Sequence, residues 1–255
     1  MEIQKLWGRL RGKYRRTAAL LLARRPCRMQ NRAPLISFTF DDFPRSALLT
    51  GGRILEEHGA AGTYYTSFGL MGQTAPTGEI FHREDLPLVL GRGHEFGCHT
   101  FAHCHASDTP AAVFERSILE NRQALGRLVP AATFKTLSYP IGCPRPGTKR
   151  RCARYFSGCR EGGQTYNAGV TDLNNLRAFF LEQSGDDLGA VKRIIDANCR
   201  AGGWLIFATH DVSDHPTRFG CRPAFFEEVV RYSVDSGAGL LLVSAALDAV
   251  GAPQG

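Results

Sequence analysis

Between residues 35 and 243, short runs rich in apolar, β-branched and aromatic residues alternate with segments of helical periodicity. That alternation restricts the chain to α/β architectures built on a parallel sheet. The β-like runs are 35–40, 62–67, 95–99, 133–138, 153–158, 177–181, 204–209 and 239–243. Between them, Thr109 and Pro110 read as the N-cap and first residue of a helix whose Phe114, Ile118, Leu125 and Leu128 share a face. Leu188, Val191, Ile195 and Cys199 repeat that spacing up to Gly202 and Gly203, and Pro223, Phe226 and Val230 open a third helix. Such stripes are core packing. Seven or eight β/α units without an internal linker predict a closed or partly closed barrel, and the catalytic groups of such barrels stand where strands end. Segments 140–151 and 157–172 read as long loops over its mouth.

A chain of 255 residues with 43% hydrophobic and 22% charged residues is an ordinary folded composition, which excludes disordered, collagen-like and polytopic membrane classes. The net charge of +7 resembles a nucleic-acid footprint until the charges are placed. Residues 1–32 carry ten basic residues against Glu2, a net +9, so the remainder is slightly acidic and no nucleic-acid partner is expected. The domain boundary is set there: a basic leader at 1–32 and one catalytic domain at 33–255.

The leader's only apolar run, 18–23, is too short for a signal-peptide core or a membrane span. With Leu6, Trp7, Leu10, Tyr14 and Leu20 to Leu22 it reads either as a helix on an anionic membrane surface or as a solvated, frayed end. Without an export signal, a cytoplasmic location is expected, peripheral at the inner membrane face. Eight cysteines without a CxxC pair establish neither a disulfide framework nor a zinc ribbon.

Three strand ends carry chemistry. The first run, LISFTF, leads directly into Asp41 and Asp42. Adjacent strand residues point to opposite faces, so both reach one site only if the backbone turns there. Two carboxylates in one pocket need a cation, with one coordinating it and the other kept as a base; alternatively one of them caps the helix that starts near Ser46. The stretch 93–103, GHEFGCHTFAH, places His99 and His103 four residues apart, which on a helical turn puts both imidazoles on one face. A carboxylate and two imidazoles leave a position open, as catalytic zinc sites do. The run WLIFAT ends at His210, whose imidazole should enter the mouth unless it is a core histidine bonded to backbone.

These residues resemble the polysaccharide deacetylases, the NodB-homology group of carbohydrate esterase family four. Thr39 to Asp42 match the family's TFDD motif, Gly93 to Gly97 with His99, Thr100 and His103 match its second motif, and Leu205 to His210 match its late histidine strand. The resemblance implies a distorted (β/α) barrel of seven or eight units in a single domain. It implies Asp41 as catalytic base, Asp42, His99 and His103 as ligands of one divalent ion, usually zinc, and His210 as catalytic acid. The backbone N–H of Ile141 would hold the oxyanion.

The implied reaction removes an N-acetyl group from an amino sugar in a glycan or glycan precursor and releases acetate. Two positions depart from the family pattern. Ser138 stands where the third motif has an arginine that orients the base, with Lys135, Arg145 or another basic residue as substitutes. The aspartate supporting the acid histidine has no clear match, Asp172 and Asp211 being candidates. Cys98, Cys104 and His105 lie near the metal pair and read as bystanders. Two further readings stay open: cleavage of another C–N bond, in a formamide or cyclic amide, and an inactive glycan-binding module.

Overall fold

The computed structural model describes residue 12, residues 14–15 and residues 17–252. Its strands are β1 (Pro26–Arg28), β2 (Leu35–Phe40), β3 (Gly62–Thr66), β4 (Thr74–Ala75), β5 (Gly78–Glu79), β6 (Glu95–Cys98) and β7 (Thr136–Ser138). They continue with β8 (Gly158–Glu161), β9 (Val170–Asp172), β10 (Leu176–Arg177), β11 (Phe179–Phe180), β12 (Trp204–Thr209) and β13 (Gly239–Leu240). The main sheet runs β10, β8, β7, β6, β3, β2, β12, β11, with β13 also on β2 and every pair parallel. This is the nearly closed, single-domain (β/α) barrel that the alternation predicts.

β2 and β12 are buried along their whole length, as strands covered on both faces must be. Outward, Ile36, Phe38 and Phe40 pack with Leu205, Phe207 and the helix residues Phe226, Val229 and Ile195. Inward, Leu35, Trp204, Ile206 and Ala208 join Val243, Ala246 and Leu247 of the last helix, which fills the barrel at its strand-start end. The filling is close: a Cβ on Gly158 would meet Leu247 at 2.9 Å. The opposite end stays open for function. β2 and β12 run in register from Leu35↔Trp204 to Phe40↔Thr209, so Asp41 and His210 emerge side by side at the same height.

The two edges of the sheet belong to one stretch of chain. β10 and β11 are separated only by Ala178, which is fully buried. β10 pairs with β8 and β11 with β12, and two amide side chains add further bonds to the same backbone. Asn167 accepts from the Arg177 N–H at 2.9 Å and donates to the Arg177 carbonyl at 2.9 Å. Gln164 does the same for Phe180, at 2.7 and 3.1 Å.

Five sequence expectations are corrected. The strand expected at 153–158 begins only at Gly158, because the N–H groups of Ala153 to Phe156 still bond carbonyls of the preceding helix. The expected loop at 140–151 contains the start of the helix Pro146–Cys152, and that at 157–172 contains β8 and β9. The N-cap before Ala111 is Pro110 rather than Thr109. His99 and His103 sit on a non-helical turn, with Thr100 and His103 at positive φ.

Residues 17–21 are helical and pack on the barrel wall. The fully buried Lys149 ammonium bonds the carbonyls of Ala19 (2.6 Å) and Leu22 (3.0 Å) and pairs with Asp172 at 2.8 Å. β1 then pairs antiparallel with β9. Leu6, Trp7 and Leu10 lie outside the described residues. No described helix is long and apolar enough to cross a membrane.

Candidate active site

The turn that brings both carboxylates into one site is made by Asp42 and Phe43, at φ 61° and 57°. Of the eight non-glycine residues at positive φ among those described, five are Asp42, Phe43, Thr100, His103 and Ile141. Such conformations cost roughly 1–3 kcal/mol each and persist only where the surroundings hold them. Asp42, His103 and Ile141 line a cavity of about 830 Å³ whose floor carries Asp41, Asp42, His99, His103 and His210. Its walls include Leu70, Ile141, Phe180, Glu182, Arg177 and Phe219.

Asp42, His99 and His103 form a single cluster in which one ligand atom from each lies within 4.8 Å of the others. The Asp42 Oδ1 is 3.0 Å from His103 Nε2 and 3.5 Å from His99 Nε2. Two ligands held about 2.0–2.1 Å from one ion at tetrahedral angles lie roughly 3.3 Å apart, so these separations fit a shared cation. Two further observations agree. Despite the 3.0 Å approach, Oδ1 makes no well-aligned hydrogen bond and remains a buried, unsatisfied oxygen. His99 Nδ1 sits 2.8 Å from the Ser138 carbonyl, which can only accept; Nδ1 therefore carries the proton and the Nε2 lone pair faces Asp42.

Burial pushes the His99 imidazole down to about 4, so it is neutral and ready to coordinate. For His103 burial acts the same way, but the Asp42 carboxylate outweighs it and raises the imidazole above its ordinary value. Thr77 Oγ1 donates to Asp42 Oδ2 at 3.1 Å and fixes the carboxylate plane. Among the described residues neither Cys98 nor Cys104 nor His105 joins the cluster. The Cys98 thiol is pushed up to about 12 by burial, and His105 bonds Ser107 at 3.0 Å.

The arginine absent from position 138 is supplied from the neighbouring strand. Ser138 of β7 and Arg160 of β8 are register partners, and the Arg160 guanidinium donates to Asp41 Oδ1. Ser138 Oγ lies 3.4 Å from the other oxygen, Oδ2. Arg160 is 1% exposed and lies between the rings of Tyr65 and Phe180, 4.9 and 5.6 Å from their centroids. Tyr65 in turn rests on Gly97, where a Cβ would strike its ring at 2.3 Å. Burial works against the Asp41 charge, yet Arg160, His99 and His210 overcome it and hold the carboxyl below its ordinary value. Of the substitutes considered from sequence, Arg145 instead donates to the Ser107 carbonyl at 2.7 Å.

His210 Nδ1 donates to the Phe219 carbonyl at 3.1 Å, which leaves Nε2 toward the cavity. The carboxyl group nearest Nδ1 is Glu182, at 4.0 Å. Neither aspartate considered from sequence takes this place, since Asp172 is paired with Lys149 and Asp211 accepts from the Thr217 N–H and hydroxyl at 2.8 and 2.6 Å. Glu182 stands two residues beyond β11, where the strand-end rule points, and was missed because no motif marks it.

Burial, reinforced by the Asp41 charge, pushes the Glu182 carboxyl up to about 8, so it is protonated at neutral pH. Its ordinary value is 4.5, so the proton it binds favours the folded state fully below that pH, and the benefit is lost as pH rises toward 8. Glu182→Gln is therefore expected to be close to wild-type stability near pH ~5 and to exceed it by about 4 kcal/mol near pH ~9, measured by urea unfolding. A difference that does not change with pH would show that Glu182 titrates normally.

Ile141 has φ 40°, and among the described residues no acceptor is bonded to its N–H, which borders the cavity. The cavity thus combines a carboxylate held ionised, a three-ligand cation site, a free N–H and an imidazole, the set used for hydrolysis of an acyl group.

The polysaccharide deacetylase family pattern matches residues 28–155, half of the chain. No curated protein sequence matches. Among solved structures, a chitin deacetylase from Colletotrichum lindemuthianum superposes with a TM-score of 0.62 at 14% identity, covering 88% of this chain and 91% of that one. A family 4 acetyl xylan esterase from Clostridium thermocellum in complex with a cobalt ion gives 0.57 at 15% identity, with 86% and 93% covered. A family 4 carbohydrate esterase from Streptomyces lividans in complex with acetate gives 0.54 at 15%, with 82% and 92% covered.

Proposed function

The chain belongs to the polysaccharide deacetylase family, and on that premise we propose that it is a metal-dependent hydrolase that removes an N-acetyl group from an amino sugar of a glycan or glycan precursor. The observation that carries this reading is the convergence of Asp41, Asp42, His99, His103 and His210 from three strand ends on the floor of one cavity. Asp42, His99 and His103 would hold the divalent ion, for which zinc suits the mixed carboxylate and imidazole set. Bound there, the ion supplies Lewis acidity.

The protein's own groups do the rest. Asp41, ionised at neutral pH, accepts a proton from the attacking water; the Arg160 pair that keeps it charged also orients it and weakens it as a base. The Ile141 N–H donates to the acetamide oxygen as that atom gains charge. His210 passes a proton from Nε2 to the leaving nitrogen, and the Phe219 carbonyl on Nδ1 stabilises the ring while it is cationic. The C–N bond breaks, and acetate and a free amine leave. Arg160 also speaks against the inactive-module reading, because the base has an arginine partner although position 138 is serine.

Acetate release from N-acetylglucosamine oligomers, in parallel with formylated and cyclic amide substrates and with acetylated xylan, tests the proposal. Release from the oligomers alone, lost in Asp41→Asn, supports it. Turnover of a formamide or cyclic amide without acetate release moves the enzyme to another C–N bond, and turnover of xylan alone moves it to an O-acetyl ester.

A further inference from the structure

The helix at residues 17–21 is packed inside out. Its small residues Ala18 and Ala19 are buried, whereas Leu20, Leu21 and Leu22 are 48%, 65% and 47% exposed and Tyr14, one turn earlier, is 71% exposed. A helix held only for the core would turn its leucines inward. The orientation is not a loose end, because the buried Lys149 grips the carbonyls of Ala19 and Leu22. Val170, 52% exposed, lines a shallow groove with Leu20 and Arg24 and extends the apolar face.

Arg24 is exposed in the groove beside Leu20 and Arg28 is exposed opposite Val170, and the first 32 residues carry a net +9 on a body of net −2. Fixed leucines among basic residues have the composition of an interfacial membrane helix. The position is also specific. Tyr14, Arg15 and Ala18 line a groove with residues 143–146, just after Ile141 and Gly142 of the cavity rim. On the other flank, Arg177 borders both the catalytic cavity and the Leu20 groove.

We propose that this segment seats the protein on an anionic phospholipid surface, with Leu20 to Leu22 entering the headgroup boundary and the cavity mouth lying beside the lipid. Full-length protein mixed with vesicles of phosphatidylglycerol and phosphatidylcholine is expected to sediment with them, to bind pure phosphatidylcholine at least about tenfold more weakly, and to be released as salt rises. Leu21→Asp is expected to weaken binding to the anionic vesicles roughly tenfold, and the gentler Leu21→Ser to weaken it less, both with unchanged melting temperature because the side chain touches no core.

Wild-type protein that stays in the supernatant overturns the proposal, as does Leu21→Asp binding as tightly as wild type. A dimer dissociated by Leu21→Asp, seen in sedimentation velocity, assigns the face to a second copy and also overturns it. The measurement involves no hydrolysis, so its failure leaves the deacetylase reading untouched.

Discussion

Replacing Arg160 with methionine is expected to cost about 3–5 kcal/mol of stability, because it leaves the Asp41 carboxylate buried without its partner. The same change removes the strongest influence holding the carboxyl low while burial continues to push it up. The base then protonates at higher pH. Acetate release should fall by roughly a hundredfold or more at neutral pH, and its acidic limb should move upward.

Two further variants separate charge from packing. Asp41→Asn in the Arg160→Met background has no charge to strand and should recover much of the lost stability, although it stays inactive. Ser138→Arg in the same background returns the guanidinium to the register partner of position 160 and should bring the acidic limb back toward wild type. An Arg160→Met protein with the wild-type pH profile would show that the arginine has no hold on the base.

Loss of the divalent ion is the second large effect. Elemental analysis of wild-type protein is expected to find one ion per chain, and His99→Ala and His103→Ala are each expected to find little. Acetate release should fall about a thousandfold or more in these variants and in chelated wild type, with return on adding zinc to the wild type only. Because Asp42 raises the His103 imidazole above its ordinary value in the metal-free site, protons compete with the ion for it, and affinity should weaken as pH falls. Stoichiometric metal in both alanine variants would remove Asp42, His99 and His103 as the ligands.

The parts of the site legible in sequence are those where a strand and its catalytic residue are contiguous. TFDD, the paired histidines and the run ending at His210 each carry strand and side chain in one window, so the strand-end rule placed them together on one rim. Arg160 was not legible for the opposite reason. The expected strand was set at 153–158, five residues early, because Tyr155 and Phe156 look β-like while their N–H groups belong to a helix end. Arg160 was thereby consigned to a loop. Its relation to Ser138 exists only across the sheet, in a register that one-dimensional pattern does not contain. Glu182 was within reach, since the expected strand 177–181 already pointed to it.

The single residue Ala178 between the two sheet edges fixes how this enclosure can deform. An open sheet can splay because its margins are independent; here both margins are neighbours on one taut thread, and pulling either moves the other. Arg177, Phe180 and Glu182 therefore sit on one short stretch whose backbone is bonded by the amides of Asn167 and Gln164. A substitution that strains either margin is therefore expected to disturb the wall and the floor of the cavity together, since Phe180 also lies against Arg160.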